Sequence, residues 1–213
     1  MNISKTHKDV DIIKRETVFD EYFQMIRYHV KHRKFDGEWS ETLSREVFQR
    51  GAVTAVLPYD AKLDRLVLIE QFRTGAWAAL EDDKVFPMAT SSPWLVEVVA
   101  GVVEEGEAPE DVARRELEEE AGCVALDMEH IYPCHVSPGA VNEPLAIFCA
   151  HVDSENIGGI HGLDEEGEDI RVFTVSPDEA LAMLSDGRIL NSTTIISLQW
   201  FALNHEKLRA RWG

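Results

Sequence analysis

One stretch limits the folds open to this chain more than any other: Gly101 to Cys123, GVVEEGEAPEDVARRELEEEAGC, dense in carboxylates and bounded by Gly101 and Gly122. Its second half predicts a helix. Pro109 suits the first turn, Glu110 and Asp111 complement the helix dipole there, and Gly122 suits the stop. At about 100° per residue, Ala113, Leu117 and Ala121 fall on one apolar stripe, and Glu116, Glu119 and Glu120 cluster on a neighbouring face. Arg115 stands one turn before Glu119 and can orient its carboxylate. An acidic run is commonly just a solvated helix face. The other reading is a metal site: carboxylates at that spacing repel, a fold that holds them together supplies cations, and oxygen-only ligands select Mg²⁺ or Mn²⁺.

The rest of the chain builds a frame around this stretch. Residues 10 to 36 alternate apolar and polar as far as the Asp36-Gly37 turn, which reads as a strand or two. A pair of strands is marginal alone and must cover its apolar face against the main domain or a second subunit. Ser44 to Arg50 leads into a buried strand over Ala52 to Pro58, and Leu66 to Phe72 is the next. From Thr74 to Ser92 the periodicity is lost, and the segment reads as a long loop. Trp94 to Ala100 is a strand that delivers the chain to Gly101. Strand-like runs follow around Met128 to Cys134 and Pro144 to Val152, then a glycine-rich acidic loop, Gly158 to Asp169, and a last strand, Ile170 to Val175. Ser176-Pro177-Asp178-Glu179 is a capping box with proline at the first helical position, and it opens a helix to about Ser185. A final helix from about Ser192 to Arg209 is expected to bury Ile195, Ile196, Leu198, Phe201, Ala202 and Leu208.

Charge and cysteine usage narrow the function. With 21 Lys and Arg against 39 Asp and Glu, the net charge is −18, so no overall attraction to a phosphate backbone is available and a general nucleic-acid binder is excluded. Bound metals and a few arginines can still invert the potential locally over a small polyanion. Cys123, Cys134 and Cys149 form no CxxC pair and are expected to be reduced thiols of a cytoplasmic protein, with neither a disulfide framework nor a zinc site. The N-terminal residues carry no apolar signal core, and no stretch approaches 18 apolar residues, so neither a secretion signal nor a membrane span is expected.

Spacing decides between the two readings of the acidic helix. Gly101, Glu107, Arg115-Glu116, Glu119-Glu120 and Gly122 match all seven fixed positions of the Nudix box, an agreement with a chance on the order of 10⁻⁸ at a given start. Cys123 stands where the box ends on an aliphatic residue and is expected to pack similarly. Beyond the box, Arg45-Glu46-Val47-Phe48-Gln49-Arg50-Gly51, Glu70-Gln71-Phe72-Arg73, Pro93-Trp94-Leu95-Val96-Glu97, Ser137-Pro138-Gly139 and Gly162 to Ile170 resemble the bacterial ADP-ribose pyrophosphatase branch of the Nudix hydrolases.

The resemblance implies an α/β fold, the Nudix α/β/α sandwich with a mixed sheet. It also implies a small N-terminal β subdomain, residues 1–48, exchanged in a homodimer beside a catalytic domain of residues 49–213. The implied reaction is hydrolysis of ADP-ribose to AMP and ribose 5-phosphate on two or three Mg²⁺ ions, with Mn²⁺ possible. Carried over by position, the metal ligands are the Ala100 carbonyl, Glu116 and Glu120, with Glu119 beside them, Arg115 orienting and Glu168 joining from the late acidic loop. Glu166 falls where these enzymes place the residue that activates the attacking water, and Glu168 is the other candidate. Arg45 and Arg73 fall at substrate-holding arginines, Pro138 at the proline that points to ADP-ribose, and Glu143 in the loop beside it. The longer 74–92 segment next to Arg73 leaves another nucleoside diphosphate sugar, such as GDP-mannose, as the alternative substrate. A non-catalytic ligand sensor on the same fold is the alternative of another class.

Overall fold

The computed structural model describes residues 5–81, 92–163, 165 and 167–213. Two compact units form, one from Met1–Ala52 with His135–Pro144 and the other from Val53–Cys134 with Leu145–Gly213.

In the first unit, β1 (Val10–Asp20), β2 (Gln24–His32) and β3 (Leu43–Gln49) make an antiparallel sheet in that order. Ile26 on the central strand is fully buried, whereas none of the described residues of β1 is, and its Ile12, Ile13 and Phe19 are each more than half exposed. Two register shifts, at Ile12/Lys14 and Thr17/Phe19, break the simple in-and-out alternation of β1. The 135–144 segment is tied to β3 through the backbone, Phe48 N–H donating to Ala140 O at 2.8 Å and Asn142 N–H to Phe48 O at 3.2 Å. The Asn142 side chain completes the tie, with Nδ2 donating to Gln49 Oε1 at 2.6 Å and Oδ1 accepting the Arg50 N–H at 2.8 Å.

The second unit is built on β4 (Ala52–Asp60), β5 (Arg65–Phe72), β6 (Trp94–Glu97), β7 (Val99–Val103), β8 (Asp127–His135), β9 (Pro144–His151), β10 (Gly159–His161) and β11 (Ile170–Val175). The sheet runs β10-β11-β5-β4-β9-β8, with β6 pairing β5 and β7 pairing β4. It is mixed, because β4 and β9 are parallel while β5 lies antiparallel to β4, β6 and β11. β4 and β5 pair only at their hairpin, Tyr59 with Leu66 and Asp60 with Arg65, before the sheet forks and β6 takes over as the partner of β5.

Alternation along the strands feeds two cores, one on each face. Leu57, Tyr59, Leu66, Leu68 and Ile147 pack with α3 (Pro177–Ser185) and α4 (Ser192–Trp212) through Ala180, Met183, Leu198, Phe201 and Leu208. Val56, Val67, Ile69, Phe148 and Val172 pack on the other face with Ala113, Leu117 and Ala121 of α2 (Pro109–Ala121). The result is the expected α/β/α sandwich. Cys123 is buried in the second core, as its place in the box required, and all three cysteines are free.

Several sequence expectations are corrected. Thr74 to Ser92 is not a continuous loop: α1 spans Thr74–Glu81, and 82–91 lie outside the described residues. No residue of α1 is buried, and its apolar residues Ala76 to Leu80 run consecutively, so no 3.6-residue period marks the helix in the sequence. The single strand over Trp94 to Ala100 is two strands, because the Val98 N–H leaves the ladder and donates to Thr194 Oγ1 at 3.0 Å. The Gly158 to Asp169 loop contains β10, too short to show alternation. In α4, which continues to Trp212, Ala202 is exposed and Ile195 and Ile196 are half-buried.

The β4–β5 hairpin is held by one buried carboxylate, Asp60. Asp60, 2% exposed, accepts the Lys62 and Leu63 N–H groups at 2.9 Å each and the Ser154 N–H and Oγ at 2.8 Å each. Burial opposes its ionisation, but these hydrogen bonds outweigh it and hold the pKa below the ordinary value. Asp60→Ala strands several of these donors and is expected to cost about 3 kcal/mol at pH 7. A depressed carboxylate stabilises above its unfolded pKa and loses that contribution as pH falls through its folded value. Urea melts should therefore show the gap between wild type and Asp60→Ala closing in acid, and a constant gap would contradict the role.

Candidate active site

Helix α2 is the platform. Pro109 opens it, and Gly122 ends it in the left-handed region at φ 63°, with the Gly122 N–H donating to Glu118 O and the Cys123 N–H to Leu117 O. Burying Ala113, Leu117 and Ala121 against the sheet fixes the rotation of the helix, which leaves Glu120 buried and Glu116 and Glu119 partly so. The Glu120 Oε2 accepts the Ala100 N–H at 3.1 Å, which binds the helix to β7. A Cβ built on Gly101 would fall inside the Glu116 carboxylate, so only glycine allows that side chain its place against the backbone. Arg115 Nη1 donates to Glu119 Oε2 at 2.8 Å and lies 2.9 Å from Glu116 Oε1.

The carboxylates burden one another. Burial pushes the Glu120 pKa up to about 8, with Glu116 and Glu168 adding repulsion and the Ala100 N–H and Arg73 opposing it. Glu116 is also raised, first by burial and further by Glu119 and Glu168, against the pull of Arg115. Among the described residues no three His, Cys, Asp or Glu side chains are drawn to ligating distance, and Arg115 and Arg73 supply the balancing charge. An all-oxygen donor set in which burial and neighbouring carboxylates raise both Glu116 and Glu120 fits a hard divalent cation, which would relieve that repulsion.

The late loop reaches the same electrostatic neighbourhood through Glu168, whose Oε2 accepts the Leu163 N–H at 3.1 Å. Gly162, at φ 99°, lets Glu168 close over it: a Cβ there would stand 2.7 Å from the Glu168 Cβ. The His161 ring lies against Gly122, 2.8 Å from where its Cβ would be, so β10 abuts the end of α2. Glu166 lies outside the described residues.

Arg73 follows β5 and is half-buried. Its Nε and Nη2 donate to Glu97 Oε2 at 3.0 and 2.7 Å. Burial would lower the guanidinium pKa, but Glu97, Glu120 and Glu168 outweigh it and hold the group above its ordinary value. Sequence reasoning missed Glu97 as a site residue. Its signal was a lone carboxylate inside the apolar run Trp94 to Ala100.

The structure thus brings Ala100, Glu116, Glu119, Glu120, Arg115, Arg73 and Glu168 into one unit, while Arg45, Pro138 and Glu143 belong to the other. There Arg45 is exposed, its Nη1 donating to Ser44 O at 2.7 Å, and Glu143 pairs with Arg50 at 3.1 Å. Trp77 and Trp94 are 48% and 53% exposed, with Trp94 set edge-on to Phe72.

A mixed-sheet sandwich with a carboxylate helix laid against a glycine strand defines a Nudix protein, and the model of the NUDIX domain matches residues 48–195. The chain belongs to the Nudix hydrolase family. The ADP-ribose pyrophosphatase of Escherichia coli (strain K12) is 42% identical over 205 residues, covering 96% of this chain and 93% of that protein. The ADP-ribose pyrophosphatase of Haemophilus influenzae is 40% identical over 207 residues, 97% and 92% of the two chains. A GDP-mannose pyrophosphatase from Pectobacterium atrosepticum is 31% identical over 199 residues, 91% and 97% of the two. The crystal structure of an ADP compounds hydrolase superposes with a TM-score of 0.66 over 98% of both chains at 19% identity, a likeness of fold.

Proposed function

We propose that this chain hydrolyses the diphosphate of ADP-ribose to AMP and ribose 5-phosphate, with Mg²⁺ or Mn²⁺ as cofactor. The observation that carries the chemistry is the placing of Glu116 against Gly101 and of the buried Glu120 on the Ala100 N–H, in one unit with Arg73 anchored on Glu97. The substrate is supported by the level of identity, 42% to a protein named for ADP-ribose against 31% to one named for GDP-mannose.

The Ala100 carbonyl, Glu116 and Glu120 would hold the cations, two or three in number, with Glu119 and Glu168 completing the set. When bound, such ions neutralise the diphosphate and make a water nucleophilic. Arg115 keeps Glu119 and Glu116 apart from each other's charge. Arg73 offers its remaining N–H groups to a phosphate oxygen. Glu166 or Glu168 takes the proton of the attacking water and fixes its line of approach, the water oxygen bonding to phosphorus as the bridging P–O bond breaks. Arg45, Pro138 and Glu143 contribute to substrate choice.

Product analysis over ADP-ribose, GDP-mannose and dinucleotides with Mg²⁺ tests this reading. AMP from ADP-ribose at the highest kcat/KM is expected, and no AMP would sink it. Turnover of GDP-mannose alone would favour the alternative. A pure ligand sensor has no use for mutually repelling carboxylates, and any turnover excludes it.

We further propose a cytoplasmic homodimer assembled through the first unit, residues 1–48 forming the exchanged subdomain. The exposed apolar side chains of β1 support this, since a long unburied strand invites pairing. Among the described residues no helix is long and apolar enough to cross a membrane. Sedimentation at micromolar concentration should give the mass of two chains.

A further inference from the structure

Glu97 is 2% exposed, and a buried carboxylate persists only when it is paired and hydrogen-bonded. One of its oxygens, Oε2, carries Arg73, with Gln71 Nε2 at 3.5 Å. The other, Oε1, accepts Asn191 Nδ2 at 2.8 Å. Asn191 is also the N-cap of α4: its Oδ1 accepts the Thr194 N–H at 3.0 Å and lies 3.3 Å from Thr194 Oγ1. Thr194, fully buried, in turn accepts the Val98 N–H at the junction of β6 and β7. Both ends of one amide are therefore used, the oxygen on the helix and the NH₂ on the carboxylate that holds Arg73.

Arg73 needs such an anchor. Its side chain has many rotamers, and a guanidinium offered to a phosphate binds well only if that freedom is already lost. Two of its N–H groups are committed to Glu97 Oε2, so where Arg73 points depends on where Glu97 points. Glu97 leaves a strand edge at the fork of the sheet, and the contact that fixes its second oxygen comes from Asn191.

We propose that Asn191 is a positioning residue for substrate binding: it fixes Glu97, Glu97 fixes Arg73, and α4 thereby sets the arginine that receives the diphosphate without touching it. The inference rests on the reading of Arg73 as a substrate arginine given above. It is separable from helix capping, because serine caps about as well as asparagine but has no NH₂ to give.

The test compares Asn191→Ser with Ser176→Ala, which removes only the cap of α3, where the Ser176 Oγ accepts the Glu179 N–H at 3.2 Å. Asn191→Ser should raise the KM for ADP-ribose about tenfold, with kcat within about threefold, and lower Tm by a few degrees because the buried Glu97 Oε1 loses its donor. Ser176→Ala should lower Tm and leave KM alone. A second readout needs no turnover: the Arg73 Nε–H resonance, identified by its loss in Arg73→Lys, should exchange faster with solvent in Asn191→Ser. An unchanged KM with an unchanged Arg73 signal overturns the proposal, as does a fall in Tm with KM unmoved. If the wild-type protein makes no AMP from ADP-ribose, the proposed function fails, while the Arg73 signal still decides whether Asn191 positions that side chain.

Discussion

Glu120→Gln is expected to lower hydrolysis of ADP-ribose by at least about 10³-fold while leaving the fold intact. Glutamine keeps the volume and an oxygen for the Ala100 N–H, so the tie between α2 and β7 survives. What it loses is the charge that a hard cation needs. The same substitution should stabilise the protein in chelator at alkaline pH. Burial holds the Glu120 pKa up at about 8, so between its ordinary value and 8 the folded state binds a proton that the unfolded chain lacks. Stability from that proton is complete below the unfolded pKa and is lost as pH rises through the folded one. Thermal melts in chelator from pH 5 to 9 should show wild type falling away from Glu120→Gln, reaching a gap of roughly 5 °C at pH 9. Wild-type turnover in the variant would refute the assignment of Glu120 as a ligand. Parallel melting curves would refute its buried, protonated state.

Gly101→Ala separates the site from the fold in the opposite way. The added methyl group meets the end of the Glu116 side chain rather than the backbone, and a flexible end can swing aside at little folding cost. The carboxylate that moves is a proposed ligand, and a shift of about 1 Å in such a group costs on the order of 10²-fold in rate. Turnover should fall by that amount while Tm changes little. Gly122→Ala should behave differently, because its φ of 63° and the His161 ring 2.8 Å from the new Cβ penalise the folded state directly. A fully active Gly101→Ala would show that Glu116 is not held against Gly101 during turnover.

The helix of the site was legible because its constraints are local. Pro109, Gly122 and the Ala113-Leu117-Ala121 stripe are all read within one window, and the structure places each as expected. Most strands were legible for the same reason, through alternation. The fork was not. Whether Val98 continues a strand or turns to Thr194, 96 residues away, is decided by a contact that no window contains. Glu97 and Asn191 escaped similarly, since the first reads as one polar place in an apolar strand and the second as an ordinary helix cap. Helix α1 escaped because its apolar residues, Ala76 to Leu80, run without a helical period. Pattern reading registers what a segment hides from water, and it is silent on which distant group a polar side chain meets.

Phe72 pairs with Trp94, and the Arg73 N–H donates to Pro93 O at 2.9 Å just outside that rung. The two ends of the intervening segment are thus sealed to each other. Its length is invisible to the ladder: residues can be added between the seals without shifting Glu97 or the Ala100-Gly101 backbone by one register position. By polymer statistics each doubling of such an insert costs only about 0.6 kcal/mol. A change of length beside Arg73 is therefore compatible with an unchanged ladder at Glu97 and Ala100.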